Sequence, residues 1–355
     1  MVKISAGGEL KRVWRYAIRT SILAGYEALD VCEMNPLALF LEKQGFVMLD
    51  GGLATEMERN GADLDDDLWS AKMLTEAPEV IRMVHSGFLK AGADVIATAT
   101  YQASFEGFAA AGYSQGQAER LMCLGVDLAL LARETFWSMT DHRRGRLRPL
   151  VAASIGPYGA SLHDGSEYHG NYGLSKRQLI EFHRKRMEVL AATDADIFAF
   201  ETIPSLLEAE ALVEVLAEFP GKQAWLSFSC KDGKHVSHGE LFSECAAFAD
   251  QSDQVVAIGV NCTAPEHISA LLKSAADVNS LLAVYPNSGE KWNASNNTWT
   301  GDGSGSMPVQ EWYDLGARLI GGCCRTTTED IAEMRAKLVQ YSKKEMIRSD
   351  SARAG

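Results

Sequence analysis

The sequence predicts an α/β protein that folds as a single (β/α)8 TIM barrel. Its 355 residues suit one barrel with insertions. From Gly45 onward, short apolar runs alternate with longer amphipathic stretches, which is typical of buried parallel strands followed by helices. A doubly wound sheet shows the same alternation, but no GxGxxG motif follows the first apolar run, so the usual mark of a dinucleotide-binding sheet is missing. These observations favour the closed barrel.

Eight runs are rich in Val, Ile, Leu and Phe and are bounded by Gly, Asp or Asn, so we interpret them as the barrel strands. They cover residues 46–49, 94–99, 149–155, 197–200, 224–229, 255–260, 281–285 and 318–320. Eight strand–helix units, with no second run of a different kind, predict one barrel and no additional domain.

The stretches between the runs predict helices over 78–90, 117–136, 176–192 and 206–219. The first of these has Pro78 in its first turn, where a proline is well tolerated. A last helix is marked by the apolar stripe of Ile331, Met334, Leu338 and Tyr341. Segment 287–307 is rich in Asn, Ser, Gly and Thr and predicts a loop after the seventh strand, on the face where barrel active sites lie.

The predicted organisation is an N-terminal extension of unknown role (1–33), a barrel (34–345) and a C-terminal tail (346–355). In the extension, Lys and Arg precede any cluster of acids, and Trp14, Ile18 and Ile22 recur at helical spacing. An amphipathic organelle-targeting segment has this pattern, and so does a surface helix. The expected location is cytoplasmic, with organelle targeting as the alternative.

Composition excludes several classes of function. A net charge of −13 offers no basic face for a nucleic-acid partner. No run of about 18 apolar residues lacks charges, so no membrane span is expected. Seven cysteines, an odd number, without a secretory signal argue against a disulfide framework. The expected partners are therefore small molecules, and the oligomeric state stays open.

Polar or reactive residues follow most of the predicted strands. They are Asp50-Gly51-Gly52, Thr100-Tyr101, Glu201-Thr202, Asn261-Cys262, Asn287-Ser288-Gly289 and Gly321-Gly322-Cys323-Cys324-Arg325. A barrel brings the carboxyl ends of its strands to one rim, so these residues are expected to gather there. Helix capping would explain Asp or Ser at such positions, but it would not explain the thiols.

The thiols of Cys262, Cys323 and Cys324 follow the sixth and eighth strands, which are near neighbours in a barrel. Three thiolates can fill three positions of a tetrahedral zinc and leave the fourth for water or substrate, as in catalytic zinc sites. Soft sulfur ligands favour zinc or copper(I) over magnesium or calcium. Gly321 and Gly322 would allow a sharp turn there. The alternatives are buried structural cysteines or a redox pair; the other four cysteines are interpreted as structural.

A series of motifs resembles the homocysteine S-methyltransferase family over about residues 35–341, and most of all its members that use S-methylmethionine. The motifs are Asp50-Gly51-Gly52, Ala54-Thr55-Glu56, Leu68-Trp69-Ser70, Gly92-Ala93-Asp94, Tyr101-Gln102-Ala103, Asp164-Gly165-Ser166-Glu167-Tyr168, Phe200-Glu201-Thr202, Gly259-Val260-Asn261-Cys262, Tyr285-Pro286-Asn287-Ser288-Gly289-Glu290 and Gly321-Gly322-Cys323-Cys324-Arg325-Thr326. The motifs around the three thiols are the most specific.

The resemblance implies zinc-dependent transfer of a methyl group from a sulfonium donor, S-methylmethionine or S-adenosylmethionine, to the thiol of homocysteine, forming methionine. It implies that Cys262, Cys323 and Cys324 hold a Zn²⁺ ion. It places Asp50 and Glu201 at the homocysteine amino group. The backbone of Gly51 and Gly259 would lie nearby, and Tyr101 and Asn287 would line the pocket.

Several alternatives stay open at this point. Selenocysteine could replace homocysteine as the acceptor, and a betaine-type donor could replace the sulfonium. A zinc-binding or thiol redox-sensing barrel without turnover is the non-enzyme alternative, but such a protein has no use for Asp50, Glu201 and Asn287. A histidine metal site in segment 163–172 is not predicted, because three thiolates suffice. Gly-rich segment 301–305 lacks the Lys of a phosphate loop.

Overall fold

The computed structural model describes residues 35–64, 69–293, 298–300 and 307–354. Eight of its strands are parallel and form the barrel: β1 (Val47–Met48), β2 (Val95–Ala97), β3 (Leu150–Ile155), β4 (Ile197–Ile203), β5 (Ala224–Phe228), β6 (Val255–Asn261), β7 (Leu281–Tyr285) and β10 (Ala317–Ile320). Their order is β1-β10-β7-β6-β5-β4-β3-β2, and a parallel bridge between Leu49 and Val95 joins the two ends. The predicted barrel and its eight strands are confirmed. The proposed extension 1–33 and the Gly-rich segment 301–305 lie outside the described residues.

Helices connect the strands and surround the barrel. They are α1 (Ala38–Gln44), α2 (Leu53–Arg59), α3 (Trp69–Glu76), α4 (Pro78–Ala91), α5 (Phe105–Ala110), α6 (Gln115–Ser138), α7 (Thr140–Arg143), α8 (Lys176–Ala191), α9 (Leu206–Leu216), α10 (Phe242–Ala249), α11 (Pro265–Ser274), α12 (Val309–Asp314) and α13 (Thr328–Ala354). None of the described helices combines the length and the apolar character needed to cross a bilayer.

The helix bounds follow local signals. Helix α6 begins two residues earlier than its apolar pattern predicts, because Ser114 precedes it and the Ser114 N–H donates to Gln117 Oε1 at 2.9 Å. Helix α9 ends at Leu216, three residues short of the predicted end. Helix α13 continues to Ala354 and therefore includes most of segment 346–355, which was predicted to be a C-terminal tail.

The segment predicted as a loop after the seventh strand contains a small antiparallel hairpin. Strand β8 (Lys291–Asn293) pairs with β9 (Thr298–Thr300), Trp292 opposite Trp299. Strands of three residues are too short to show an alternation of apolar and polar residues against the Asn- and Ser-rich background. The hairpin was therefore missed from the sequence.

Two apolar clusters pack on the two faces of the barrel sheet. Alternate strand residues such as Val47, Ala199 and Leu319 point into the barrel, while their neighbours pack against the helices. This alternation is what a closed parallel sheet imposes on strands that are covered on both faces. The alternation continues to the carboxyl ends of the strands. The last inward-pointing residue of each strand therefore faces the rim where the candidate site lies.

Asp94, which is fully buried at the amino end of β2, reinforces the seam between β1 and β2. Its Oδ2 accepts hydrogen bonds from the Met48 N–H at 3.0 Å, Gln44 Nε2 at 2.6 Å and Arg335 Nη1 at 2.8 Å. Because these donors come from β1, α1 and α13, the Asp94 carboxylate connects the first strand and the first described helix to the last helix. The ion pair with Arg335 offsets the cost of burying the charge.

His85 is a fully buried residue on α4, and neither of its ring nitrogens has a hydrogen-bond partner. Burial lowers the pKa of His85 to about 4, because a charged imidazolium there would lose its hydration without compensation. The folded protein therefore holds this side chain neutral at a pH where the unfolded chain would protonate it.

We expect His85 to make the fold sensitive to acid. The pKa of His85 is lower in the folded protein than in the unfolded chain, where it is about 6.5. Its contribution to the free energy of unfolding is therefore fully present above pH 6.5 and is lost as the pH falls toward 4. Between pH 7.5 and 4.5 the linkage amounts to roughly 2–3 kcal/mol. Urea unfolding of the wild type and of His85→Leu at both pH values would measure it. On going from pH 7.5 to 4.5, the wild type should lose more stability than His85→Leu, and the difference should equal this amount. An equal loss in both proteins would contradict a neutral, unpartnered His85.

Candidate metal centre and substrate pocket

Three cysteine sulfurs converge at the carboxyl-end rim of the barrel. Cys262 follows β6, and Cys323 and Cys324 follow β10; both strands pair with β7. Cys262 Sγ lies 2.6 Å from Cys323 Sγ and 3.5 Å from Cys324 Sγ, and all three sulfurs lie within 4.8 Å of one another. The sequence-based expectation that thiols from two strands meet is therefore correct. Cys123, Cys230 and Cys245 are not members of this group.

The backbone around the sulfurs is unusual. Cys262 and Arg325 have φ values of 46° and 65°, in the left-handed region that residues with side chains rarely adopt. Such strain persists only where the surrounding structure holds it in place, and it is common at functional sites. Here the Cys323 N–H donates to the Pro286 carbonyl at 2.8 Å, and the Ser288 N–H donates to the Cys324 carbonyl at 3.1 Å. The cysteine turn is thus fixed against the end of β7.

The two glycines before Cys323 serve close packing. A Cβ on Gly322 would lie 2.3 Å from Thr326 Oγ1, and one on Gly321 would lie 2.7 Å from Leu49 Cβ. Neither glycine has the positive φ that a sharp left-handed turn would need. The close approach of Leu49 and Thr326 is therefore a second reason for glycine at both positions, besides the sharp turn that the sequence predicts.

The three thiols share protons unequally. Hydrogen bonds from Cys323 and Cys324 hold the pKa of Cys262 well below its usual range. The Cys262 thiolate in turn raises the pKa of Cys323 and Cys324, which donate to it and feel its charge. A cation is needed before all three can ionise together, since three thiolates this close repel one another. The donor set suits a soft divalent metal such as zinc.

Asn261 connects the cysteine cluster to the neighbouring strands. It is fully buried, and its Oδ1 accepts the Thr202 N–H at 2.7 Å and the Ser227 hydroxyl at 2.8 Å. Its amide nitrogen donates to Thr202 Oγ1 at 2.8 Å and lies 3.8 Å from Cys323 Sγ. Thr202 has a φ of 61°, so this amide stabilises a second strained residue, where the pairing of β4 with β5 is irregular. Asn261 was expected at the rim because it follows the sixth strand, but no role was predicted for its side chain.

Asp50 and Glu201 are brought together as the sequence analysis expected. The Asp50 carboxylate accepts the Ala97 N–H at 2.8 Å, and the Glu201 carboxylate accepts hydrogen bonds from Ser154 and Tyr285. Burial raises the pKa of Asp50 well above its ordinary value, and the charge of Glu201 adds to this. Burial and the Cys262 thiolate raise the pKa of Glu201 to about 7. Two buried carboxyl groups of like charge form a pocket that favours a cation.

Tyr101 lies beside the same cluster. Burial raises the pKa of its phenol well above 10, and the charges of Glu167, Cys262 and Glu201 raise it further. The structure therefore places Tyr101 at the site, as expected. Glu167 and Tyr168 also belong there, since the charges of Cys262 and Cys324 act on the Tyr168 phenol. Both residues stand in the motif Asp164-Gly165-Ser166-Glu167-Tyr168 that carries the family resemblance, but no role at the site was predicted for either of them.

The remaining predicted pocket residues differ in how they are placed. Gly51 adjoins the cluster: a Cβ there would lie 2.9 Å from Thr326 Oγ1. Gly259 lies on β6, two residues before Asn261, where the backbone of β7 approaches closely. Asn287 follows β7, but its side-chain oxygen accepts the Gly289 N–H at 3.0 Å and so stabilises its own turn. No described contact joins the Asn287 side chain to the sulfurs.

Comparison with known proteins gives a consistent result. The family model described as Homocysteine S-methyltransferase matches residues 47–338. The chain is 49% identical to Homocysteine S-methyltransferase YbgG of Bacillus subtilis over 85% of this chain and 98% of that protein. It is 46% identical to the Selenocysteine Se-methyltransferase of Brassica oleracea over 88% and 94%, respectively. The crystal structure of the metallated form of the homocysteine methyltransferase MmuM from Escherichia coli superposes with a TM-score of 0.77, at 43% identity, over 85% of this chain and all of that one.

The contact between β6 and β7 predicts that Gly259→Ala is strongly destabilising. A Cβ at this position would lie 1.8 Å from the Ala283 carbonyl oxygen, a backbone atom that cannot turn aside. We expect a loss of about 3 kcal/mol or more in guanidinium unfolding followed by circular dichroism. Gly87→Ala on α4 is the matched control, since its nearest neighbour would be Thr328 Cγ2 at 3.4 Å; it should be neutral or stabilising by up to about 1 kcal/mol. Equal stability of the Gly259→Ala protein would contradict this packing.

Proposed function

Since the chain belongs to the homocysteine S-methyltransferase family, we propose that it is a zinc-dependent enzyme that moves a methyl group from a sulfonium donor to the thiol of homocysteine. Family membership carries the transfer of a methyl group to homocysteine. Zinc, the donor and the individual site residues are the proposal. The observation that supports it most directly is the convergence of Cys262, Cys323 and Cys324 beside a pocket of buried acids.

The sulfur positions suit a zinc ion. Tetrahedral zinc with Zn–S bonds of about 2.3 Å keeps its sulfurs about 3.8 Å apart. The distances from Cys262 Sγ to the other two sulfurs are 2.6 and 3.5 Å, so small side-chain rotations would accommodate the ion. Three protein ligands leave one coordination position for a substrate, which is the arrangement of catalytic rather than structural zinc. Asn261, next to Cys323 Sγ, would orient that ligand.

Homocysteine would enter with its ammonium group toward Asp50 and Glu201. These two carboxyl groups have raised pKa values because they are buried and because a negative charge is near each of them, Glu201 for Asp50 and Cys262 for Glu201. A bound ammonium would supply the missing positive charge and favour the ionised carboxylates. The amino acid would thereby be oriented with its side chain toward the sulfur cluster.

A free thiol has a pKa near 8.5 and is mostly protonated at neutral pH. Zinc, when bound, supplies the positive charge that makes a coordinating thiol ionise. The homocysteine sulfur then forms a bond to the donor's methyl carbon while the bond from that carbon to the sulfonium sulfur breaks. The electron pair of the broken bond stays on the donor sulfur, which leaves as a neutral thioether, so no general acid is required. The buried walls exclude water, which favours a reaction in which opposite charges cancel.

S-methylmethionine is the proposed donor, with S-adenosylmethionine as the second candidate. The resemblance of the motifs to S-methylmethionine-using members of the family supports this choice. With that donor, both products of a turnover are methionine. The 46% identity to a selenocysteine methyltransferase supports selenocysteine as an alternative acceptor at the same site, since a selenol would ionise there at least as readily as a thiol.

Zinc dependence gives the central test. The purified protein should form methionine from homocysteine and S-methylmethionine, and removal of the metal by a chelator should abolish the reaction. Cys262→Ala, Cys323→Ala and Cys324→Ala should each lose zinc and activity together, because each removes a thiolate ligand. Cys123→Ala, outside the cluster, is the control and should keep both. A triple variant that still bound one zinc per chain and turned over would refute the mechanism.

Glu201→Gln tests the proposed ammonium site. The change keeps the shape of the side chain but removes its charge, so the KM for homocysteine should rise roughly tenfold or more. Zinc content should not change. Glu188→Gln, which alters an exposed glutamate, serves as the control. An unchanged KM for homocysteine in the Glu201 variant would exclude this role.

A further inference from the structure

Ser154 is a buried serine of β3 whose hydroxyl donates to the Glu201 carboxylate in β4. Both side chains continue the series of strand residues that point into the barrel, Ser154 after Ala152 and Glu201 after Ala199. Ser154 is only 1% exposed, so water does not compete for its hydroxyl proton. The Glu201 carboxylate is therefore held by a donor that is shielded from solvent.

Two threonine hydroxyls after β2 hold the backbone of Ser154. Thr100 Oγ1 donates to the Ser154 carbonyl at 2.7 Å, and the Ser154 N–H donates to Thr98 Oγ1 at 3.0 Å. The two threonine hydroxyls lie 2.6 Å apart. Since the Thr100 proton goes to a carbonyl, which can only accept, the hydrogen bond between the threonines must be donated by Thr98. Each hydroxyl proton of the pair is thus assigned, and Ser154 is held by both its N–H and its carbonyl.

Helix α6 fixes the side chain of Thr100. Thr100 is fully buried, and a Cβ on Gly125 of α6 would lie 2.8 Å from Thr100 Cγ2, so the helix backbone packs directly against this methyl group. A β-branched side chain has few rotamers. Because its methyl group is held on one side, the Thr100 hydroxyl stays directed at the Ser154 carbonyl.

The same end of β2 holds the other acid of the proposed ammonium site. Asp50 Oδ2 accepts the Ala97 N–H at 2.8 Å, and Ala97 is the last residue of β2, directly before Thr98. Segment 97–100 therefore supports Asp50 directly and Glu201 through Ser154. One short segment thus governs where both carboxyl groups lie.

We propose that segment 97–100, with Ser154 as its link to Glu201, makes the acceptor site selective for thiols that carry an ammonium group. This inference rests on the proposed function, in which Asp50 and Glu201 bind that ammonium. An ammonium group donates several hydrogen bonds, and acceptors that are already in place bind it without losing side-chain freedom. A thiol without an ammonium gains nothing from this arrangement. Ser154 and Thr98 are accordingly positioning residues, which act through Glu201.

The first test uses zinc-loaded, full-length Ser154→Ala. Glu201 loses its buried donor, so the KM for homocysteine should rise roughly fivefold or more. The kcat and the zinc content should stay within twofold of the wild type. Ser280→Ala is the matched control, because Ser280 Oγ also donates to a carboxylate, Asp250 Oδ1 at 2.7 Å, but directly before β7, at the opposite end of the barrel. Its KM for homocysteine should not change.

An acceptor analogue separates the ammonium site from the pocket as a whole. 4-Mercaptobutanoate is homocysteine without the amino group, and it should compete with homocysteine. Its inhibition constant should be the same, within twofold, for the wild type and Ser154→Ala. If the variant bound both ligands more weakly by the same factor, Ser154 would support the whole pocket and the inference would be wrong.

Coupling to Glu201 gives a second test. Because Ser154 acts through the Glu201 carboxylate, adding Ser154→Ala to Glu201→Gln should change the KM for homocysteine by less than twofold. If the two substitutions multiplied their effects on KM, Ser154 would act independently of Glu201, contrary to the inference.

Failure of this inference differs from failure of the proposed function. A wild type that forms no methionine, or a Glu201→Gln protein with an unchanged KM for homocysteine, refutes the proposed ammonium site and this inference with it. A KM that rises in Glu201→Gln but not in Ser154→Ala refutes the inference alone.

If Ser154→Ala did not fold, Thr98→Val would decide, since it keeps the shape of the side chain but removes the oxygen that accepts the Ser154 N–H. A several-fold rise in its KM for homocysteine, with an unchanged inhibition constant for 4-mercaptobutanoate, would support the inference. An unchanged KM would overturn it.

Discussion

The structure depends on a group of acidic side chains that lie so close together that they cannot all be ionised without a neutralising cation. Three cysteine sulfurs lie within 4.8 Å of one another, and the carboxyl groups of Asp50, Glu201 and Glu167 are buried around them. Groups that would be negative in water are thereby held together where water is scarce. Each raised pKa in this pocket measures the resulting cost. A cation in this pocket would offset the cost, which supports the proposal that it receives a metal ion and positively charged substrates.

The barrel supplies the rigidity that such a pocket needs. The sulfurs come from the ends of β6 and β10, which flank β7, and the turns that carry them are hydrogen-bonded to the end of β7. Left-handed residues lie near the carboxyl ends of three strands: Thr202 is the last but one residue of β4, Cys262 directly follows β6, and Arg325 lies in the turn after β10. Strained backbone at these three ends persists because the sheet below is packed on both faces. At these left-handed residues the side chains point in a different direction from the one that the alternation along a regular strand would give them.

Hydrogen bonds of Asn261 connect the cysteine cluster to the pocket of buried acids. Asn261 joins Thr202, near the end of β4, to the cysteine turn after β10, and Glu201 directly precedes Thr202 in β4. A structural change at the sulfurs is therefore transmitted through Asn261 to Thr202, the residue next to Glu201 of the proposed ammonium site. This connection gives a physical reason for metal and amino-acid binding to depend on each other.

The sequence by itself determined the barrel, its eight strands and the gathering of Cys262, Cys323 and Cys324, because buried strands leave continuous apolar runs and their ends must share a rim. Tertiary structure alone decided the β8–β9 hairpin and the reason for Gly321 and Gly322. It also decided the presence of Glu167 and Tyr168 at the site. A connection without regular periodicity does not show which way its side chains point; here the backbone is held by close packing against Gly159 in the same connection and by a hydrogen bond from Ser229, 62 residues away in the chain.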